Sequence, residues 1–205
     1  MGEVVEDQAI CRRIIGLTGG IATGKSTVSD YLASRYGLPV LDADVFSREA
    51  VAKGSAILGQ VGDRYGPDSL LPDGNLNRAY LSKIIFNNPD ERQWVEQQIH
   101  PYVRARFSVE TNALPLDQTL VYSIPLLFEA NLTHLVSETW VVACGLEQQI
   151  ERLMRRNQLT ASEAQIRIDA QMSLEEKCKR ADYVLDNAQS KAVLFSQVDQ
   201  LIAVF

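Results

Sequence analysis

Residues 14–27 read Ile14-Ile15-Gly16-Leu17-Thr18-Gly19-Gly20-Ile21-Ala22-Thr23-Gly24-Lys25-Ser26-Thr27, and this stretch decides how the chain is read. Gly19 and Gly24 to Ser26 fit the pattern G-x-x-x-x-G-K-[ST], the phosphate-cradling P-loop. An apolar, strand-like run leads in and a helix-like run, Lys25 to Tyr36, leads out, which is the context the motif requires. Glycines let successive backbone N–H groups converge on phosphate oxygens. The following helix turns its positive end to the anion. Lys25 would reach the β- and γ-phosphates and the Ser26 hydroxyl would ligate Mg²⁺. The pattern therefore predicts a nucleoside triphosphate held along Gly19, Gly20, Ala22, Thr23, Gly24, Lys25, Ser26 and Thr27.

The rest of the chain suits such a site. A length of 205 residues fits one domain with inserted helical subregions, and an apolar share of 46% supplies a core. A net charge of −6 argues against broad nucleic-acid binding. No apolar run approaches a membrane span and no signal-peptide pattern is present, so a cytoplasmic protein is expected. Cys11, Cys144 and Cys178 are scattered and read as free thiols rather than a metal site. Residues 1–11 read as a flexible extension.

Short aliphatic runs at Arg13–Leu17, Pro39–Asp42, Thr119–Ile124, Thr139–Cys144 and Asp182–Leu185 alternate with helical patterns. They predict an α/β, three-layer fold around a mainly parallel, five-stranded sheet. Within one domain (12–205), the core takes 12–44, 118–146 and 181–205. Residues 45–117 exceed a simple crossover and read as a helical insertion for a second substrate. There Asn88-Pro89-Asp90-Glu91 starts a helix whose apolar face runs Val95, Ile99, Val103, Phe107, with a kink expected before Pro101. Residues 147–180 are charged and poor in large apolar groups, as a lid would be. Both Thr160–Glu163 and Ser173–Glu176 read as capping boxes. A last amphipathic helix after Ser190 covers the sheet.

Phosphoryl transfer also needs a group to orient the acceptor and cations for the moving charge. Asp42 and Asp44 end the second strand, and an extended backbone would aim both to one side, as base and orienting group. Alternatively Asp44 simply caps the next helix. Arg152, Arg155 and Arg156 share a helix face and make a triphosphate clamp, or else a solvated face with Glu151 pairing Arg155. His100, alone in an amphipathic helix, reads as a hydrogen-bonded structural residue rather than a catalyst. The strand at Thr119–Ile124 runs into Pro125 where a metal-binding Asp is usual, so Mg²⁺ would rest on Ser26, Asp44 and water. Glu129 is a more distant supporting candidate, or a surface residue.

The chain resembles the dephospho-coenzyme A kinases. The likeness is carried by Gly16 to Thr27, Leu41-Asp42-Ala43-Asp44, His100-Pro101, Pro125-Leu126-Leu127-Phe128-Glu129, Arg152 to Arg156, Arg167 to Met172, and Ala181-Asp182-Tyr183 with Asp186-Asn187. The resemblance implies a core, a helical acceptor region and a lid. It further implies transfer of the ATP γ-phosphoryl to the ribose 3′-hydroxyl of dephospho-coenzyme A. Asp44 would be the general base, Arg152, Arg155 or Arg156 lid cations, and Asp42, Asp44 and His100 the acceptor side. The partner is a small molecule, with no nucleic acid or membrane, and a monomer is favoured. Ala22 and Thr23 replace a frequent Gly-Ser, a change expected to be tolerated because those positions act mainly through backbone. Asn157 replaces a common Asp after Arg156, removing an ion pair. Rival readings are a kinase of another small acceptor and a nucleotide switch; the latter lacks the Asn-Lys-x-Asp base motif.

Overall fold

The computed structural model describes residues 12–203, Asn87 by its backbone alone. The expected N-terminal extension and Cys11 lie outside that span. Contacts divide the described chain into two compact units, 12–41 with 114–203, and 42–113.

The first unit is built on a sheet of β1 (Ile14–Gly19), β2 (Val40–Asp42), β3 (Leu120–Ser123), β4 (Glu138–Ala143) and β5 (Tyr183–Asp186), in the order β2-β3-β1-β4-β5. β1 pairs in parallel with β3 on one side and β4 on the other, and β4 with β5. After β1 the chain leaves toward β2 and β3, then crosses back to β4. The carboxyl end of β1 is thus the switch point where open parallel sheets bind ligands. Strand alternation sorts the core. Ile15, Leu17, Trp140 and Val142 meet α1 (Lys25–Tyr36) and α9 (Lys191–Ala203) through Val28, Leu32, Leu194 and Val198, all of them fully buried. Gly16 and Thr18 turn the other way; a Cβ on Gly16 would lie 2.8 Å from Val136, and the Thr18 hydroxyl donates to the Pro125 carbonyl at 3.0 Å.

The α1 helix starts directly from the loop and ends at Gly37, whose N–H returns to the Ala33 carbonyl at 3.0 Å. Beyond β4 lie α6 (Leu146–Asn157), α7 (Ala161–Asp169) and α8 (Leu174–Arg180). Thr160 and Glu163 form the expected capping box. At Ser173 only half of one forms: its hydroxyl accepts from Glu176 N–H, while the Glu176 carboxylate goes to Arg180 at 2.7 Å. A full charge four residues on outcompetes a neutral backbone N–H.

The second unit contains α2 (Ala43–Ala50), α3 (Ala56–Tyr65), α4 (Arg78–Asn87) and α5 (Pro89–Asn112). It has its own core of Val51, Leu58, Val61, Leu76, Leu81 and Val95. Asn88 caps α5 as read, accepting from Asp90 and Glu91 N–H, and Val95, Val103 and Phe107 are buried. Pro101 lies inside α5, a helix of 24 residues that continues through it. Arg64 lies over the Trp94 ring at 4.6 Å and forks onto Glu91 at 2.7 and 2.9 Å.

Candidate active site

The loop between β1 and α1 carries the chemistry, and its shape follows from a few backbone constraints. Gly24 caps α1 at φ 105°, a region closed to most side chains. Ala22 also lies at positive φ, 61°. The loop accommodates an alanine there at the cost of a strained left-handed backbone. Thr23 likewise does more than lend its backbone. It is fully buried, and its hydroxyl donates to the Gly20 carbonyl at 2.9 Å, closing the loop on itself.

Around this ring, side chains from the segment beyond β4 seize the outward carbonyls. Gln149 Nε2 donates to the Ile21 carbonyl at 2.8 Å, and Gln171 Oε1 accepts the Ile21 N–H at 2.9 Å. The Thr23 carbonyl receives Asn187 Nδ2 at 2.7 Å and Arg152 at 3.3 Å, and Arg152 also donates to the Asn187 carbonyl at 3.0 Å. In a trans peptide the C=O and the next N–H point oppositely. Holding the carbonyls of Ile21 and Thr23 therefore turns the N–H groups of Ala22 and Gly24 away from the braces, toward the loop's open side. That is the arrangement an anion needs. Ser26 is exposed in the first turn of α1, and the half-buried Lys25 donates its ammonium to the Ser123 hydroxyl. Ser123 ends β3 beside Leu17, two residues before Pro125.

The other predicted residues fall out unevenly. Arg152 reaches the loop, whereas Arg155 and Arg156 are exposed, Arg156 donating to Asn157 at 2.9 Å. The clamp of three is thus one loop-bound arginine and two in solvent, and Asn157 keeps as a hydrogen bond what an Asp would make an ion pair. The segment 147–180 is also less core-poor than its composition implies: Leu153, Ala164 and Lys177 are fully buried. Glu129 is no mere surface residue, since its carboxylate meets Lys177 at 2.9 Å and the Met172 N–H at 3.1 Å.

In the second unit the aspartates do not form a strand pair. β2 stops at Asp42, whose carboxylate caps α2 by accepting from Asp44 N–H at 2.7 Å and Val45 N–H at 3.3 Å. Asp44 stands in the first helical turn, exposed. The cap was read two residues late: Asp42 holds the helix, which leaves the Asp44 carboxylate at the positive end of α2. His100 is exposed on α5. Sequence reasoning missed Ser123, Gln149 and Lys177, and gave Gln171 and Asn187 no role. Polar residues that serve backbone carbonyls far away in sequence follow no local spacing.

A parallel sheet with this loop at its switch point, a lysine at the helix start and braced carbonyls defines a P-loop nucleotide-binding protein. The comparisons narrow this class. The family model for dephospho-CoA kinase matches residues 13–192, and the chain belongs to that family. Over 188 residues it is 56% identical to the dephospho-CoA kinase of Trichormus variabilis, covering 92% of this chain and 95% of the relative. A solved structure from Thermus thermophilus superposes with a TM-score of 0.82 at 34% identity, covering 95% and 98% of the two chains. The dephospho-CoA kinase from Campylobacter jejuni gives a TM-score of 0.69 at 26% identity, covering 93% and 95%. The protein is a kinase of this family, and kinase chemistry implies ATP. No helix among the described residues is long and apolar enough to cross a membrane.

Proposed function

We propose that this chain transfers the γ-phosphoryl group of ATP to the ribose 3′-hydroxyl of dephospho-coenzyme A, giving coenzyme A and ADP, the last step of coenzyme A synthesis. The observation that carries the proposal is the intact phosphate loop, with Lys25 and Ser26 at the start of α1, in a chain matched by the family over residues 13–192. Lys25 and the N–H groups of Ala22 and Gly24 hold the phosphates, and Arg152 lines the loop's rim. Asp44 takes the proton of the 3′-hydroxyl as its oxygen bonds to the γ-phosphorus. The bond to the β-phosphate oxygen breaks and ADP leaves.

Mg²⁺ suits the donors present. No cluster of three or more His, Cys, Asp or Glu exists among the described residues, and this hard ion is commonly held by few protein oxygens together with phosphates and water. Ser26, with Asp44, would hold it, and it would neutralise phosphate charge. The two other lid arginines, Arg155 and Arg156, and the acceptor-side residues Asp42 and His100 belong to the same proposal, with Asp42 acting through the helix it caps. We place the reaction in the cytoplasm and the active form as a monomer.

The test is ADP release from ATP and Mg²⁺ with dephospho-coenzyme A, beside AMP, CMP and gluconate. Turnover with dephospho-coenzyme A alone, yielding coenzyme A, is the expected result. Turnover with a control alone would retain a P-loop kinase and discard the substrate.

A further inference from the structure

Among the described residues the most buried charge is Lys177 of α8, whose side chain is 0% exposed. A desolvated ammonium is costly unless every proton finds a partner, and an apolar residue of similar size would fill the space without that cost. Lys177 Nζ has three acceptors: the Gly19 carbonyl at 3.3 Å, the Pro125 carbonyl at 3.0 Å and Glu129 Oε1 at 2.9 Å. Three donors meet three acceptors, as an ammonium requires. Gly19 is the last residue of β1 and the first of the loop motif, and Pro125 lies just past the end of β3. Glu129 Oε1 also takes the N–H of Met172, next to the Gln171 that holds Ile21.

These bonds complete a series. The carbonyls of Gly19, Ile21 and Thr23, alternate residues along the loop, are held from outside by Lys177, by Gln149, and by Asn187 with Arg152. Lys177 fixes where the series starts.

We propose that Lys177 is a positioning residue for ATP: through the Gly19 carbonyl it sets the entry of the phosphate loop, and Glu129 keeps its ammonium in place. This deepens the proposed reading of the same site and rests on it for the nucleotide, not for the acceptor. Lys177 touches no reacting atom, so its removal changes how well the loop grips the triphosphate.

The experiment compares the full chain with its Lys177→Met and Glu129→Gln variants. It measures KM for ATP and for dephospho-coenzyme A, ATP affinity by calorimetric titration without acceptor, and thermal stability. Lys177→Met is expected to weaken ATP binding about tenfold or more while the acceptor KM moves less than about twofold. Glu129→Gln, which keeps the ammonium but removes its counter-charge, should weaken ATP binding roughly threefold. A folded Lys177→Met that binds ATP like the parent overturns the proposal, as does an equal rise in both KM values, the mark of general damage. If Lys177→Met fails to fold, Glu129→Gln decides: unchanged ATP affinity overturns the proposal. A parent chain that binds ATP but does not phosphorylate dephospho-coenzyme A would discard the substrate and leave the calorimetric comparison intact.

Discussion

Replacing Gly24 by alanine separates two costs that the loop geometry predicts. At φ 105° an alanine pays left-handed backbone strain of about 1–2 kcal/mol. Its Cβ would also stand 2.2 Å from Asn187 Nδ2, the atom that donates to the Thr23 carbonyl at 2.7 Å. Asn187 is buried, so displacing it breaks an interior hydrogen bond at a cost of about 1–3 kcal/mol. Together the loss is about 2–5 kcal/mol, and a central value near 3 corresponds to a fall in Tm of roughly 6–12 °C for a chain of this size. Gly37 is the control: it too has positive φ, 64°, but a Cβ there meets nothing within 4 Å. Gly37→Ala should cost only the strain, about 1 kcal/mol. The assay is thermal unfolding without nucleotide, completed by a double-mutant cycle with Asn187→Ala. In that background Gly24→Ala should fall back to roughly the Gly37 cost, since the clashing amide is gone. Equal Tm losses for Gly24→Ala and Gly37→Ala in the parent chain would refute the clash. A full Gly24→Ala loss that persists with Asn187→Ala would refute its attribution to that residue.

Ala22 gives the converse. Ala22→Gly relieves left-handed strain but frees the unfolded chain, for a net gain of about 0.5–1 kcal/mol and a Tm rise of roughly 1–4 °C; a lower Tm would contradict the strain. The Arg64 hydrogen bonds, and then that of Tyr65, hold the Glu91 carboxyl down at about 2, against an ordinary value of 4.5. The unfolded state therefore binds the extra proton, so this contribution is complete above about pH 4.5 and is lost as pH falls through about 2. Acid unfolding of Glu91→Gln should be less steep across that window, and equal slopes would remove the pair from the account. Burial, followed by Glu91, pushes the Tyr65 hydroxyl up to about 12, so its contribution holds below pH 10 and fades as pH rises through about 12. An ultraviolet titration should show Tyr65→Phe lacking one late-ionising phenol. Lys25→Ala and Asp44→Asn should lower turnover by about 10²-fold or more with the fold intact; near-full activity of Asp44→Asn would remove it as the base.

Much of this was legible in the chain itself, because the features concerned are local. All five strands fall within two residues of their sequence reading, since a short aliphatic run between turn residues can do little else in a chain of this kind. The loop between Gly19 and Ser26 was readable because its spacing is its mechanism. So was the Asn88 start of α5, which needs only a side chain and the next turn of backbone. The aspartates show where local reading thins. Asp42 and Asp44 were both picked out, but which one caps α2 depends on a backbone turning at Ala43, and a shift of two residues exchanges their roles. Ser173 makes the same point, since its expected partner Glu176 had a stronger offer from Arg180.

The sequence by itself determined the α/β class, the triphosphate loop and the family, because hydrophobic period and motif spacing act over a few residues. Only the tertiary structure decided what surrounds that loop. Arg152, Gln149, Gln171, Lys177 and Asn187 serve loop carbonyls and N–H groups 128 to 164 positions away, and Arg155 and Arg156 are left in solvent. A backbone carbonyl carries no residue identity, so a side chain chosen to meet one leaves no pairing in the sequence. The partner becomes known only when folding brings the strand ends and helices together and every buried donor must find an acceptor.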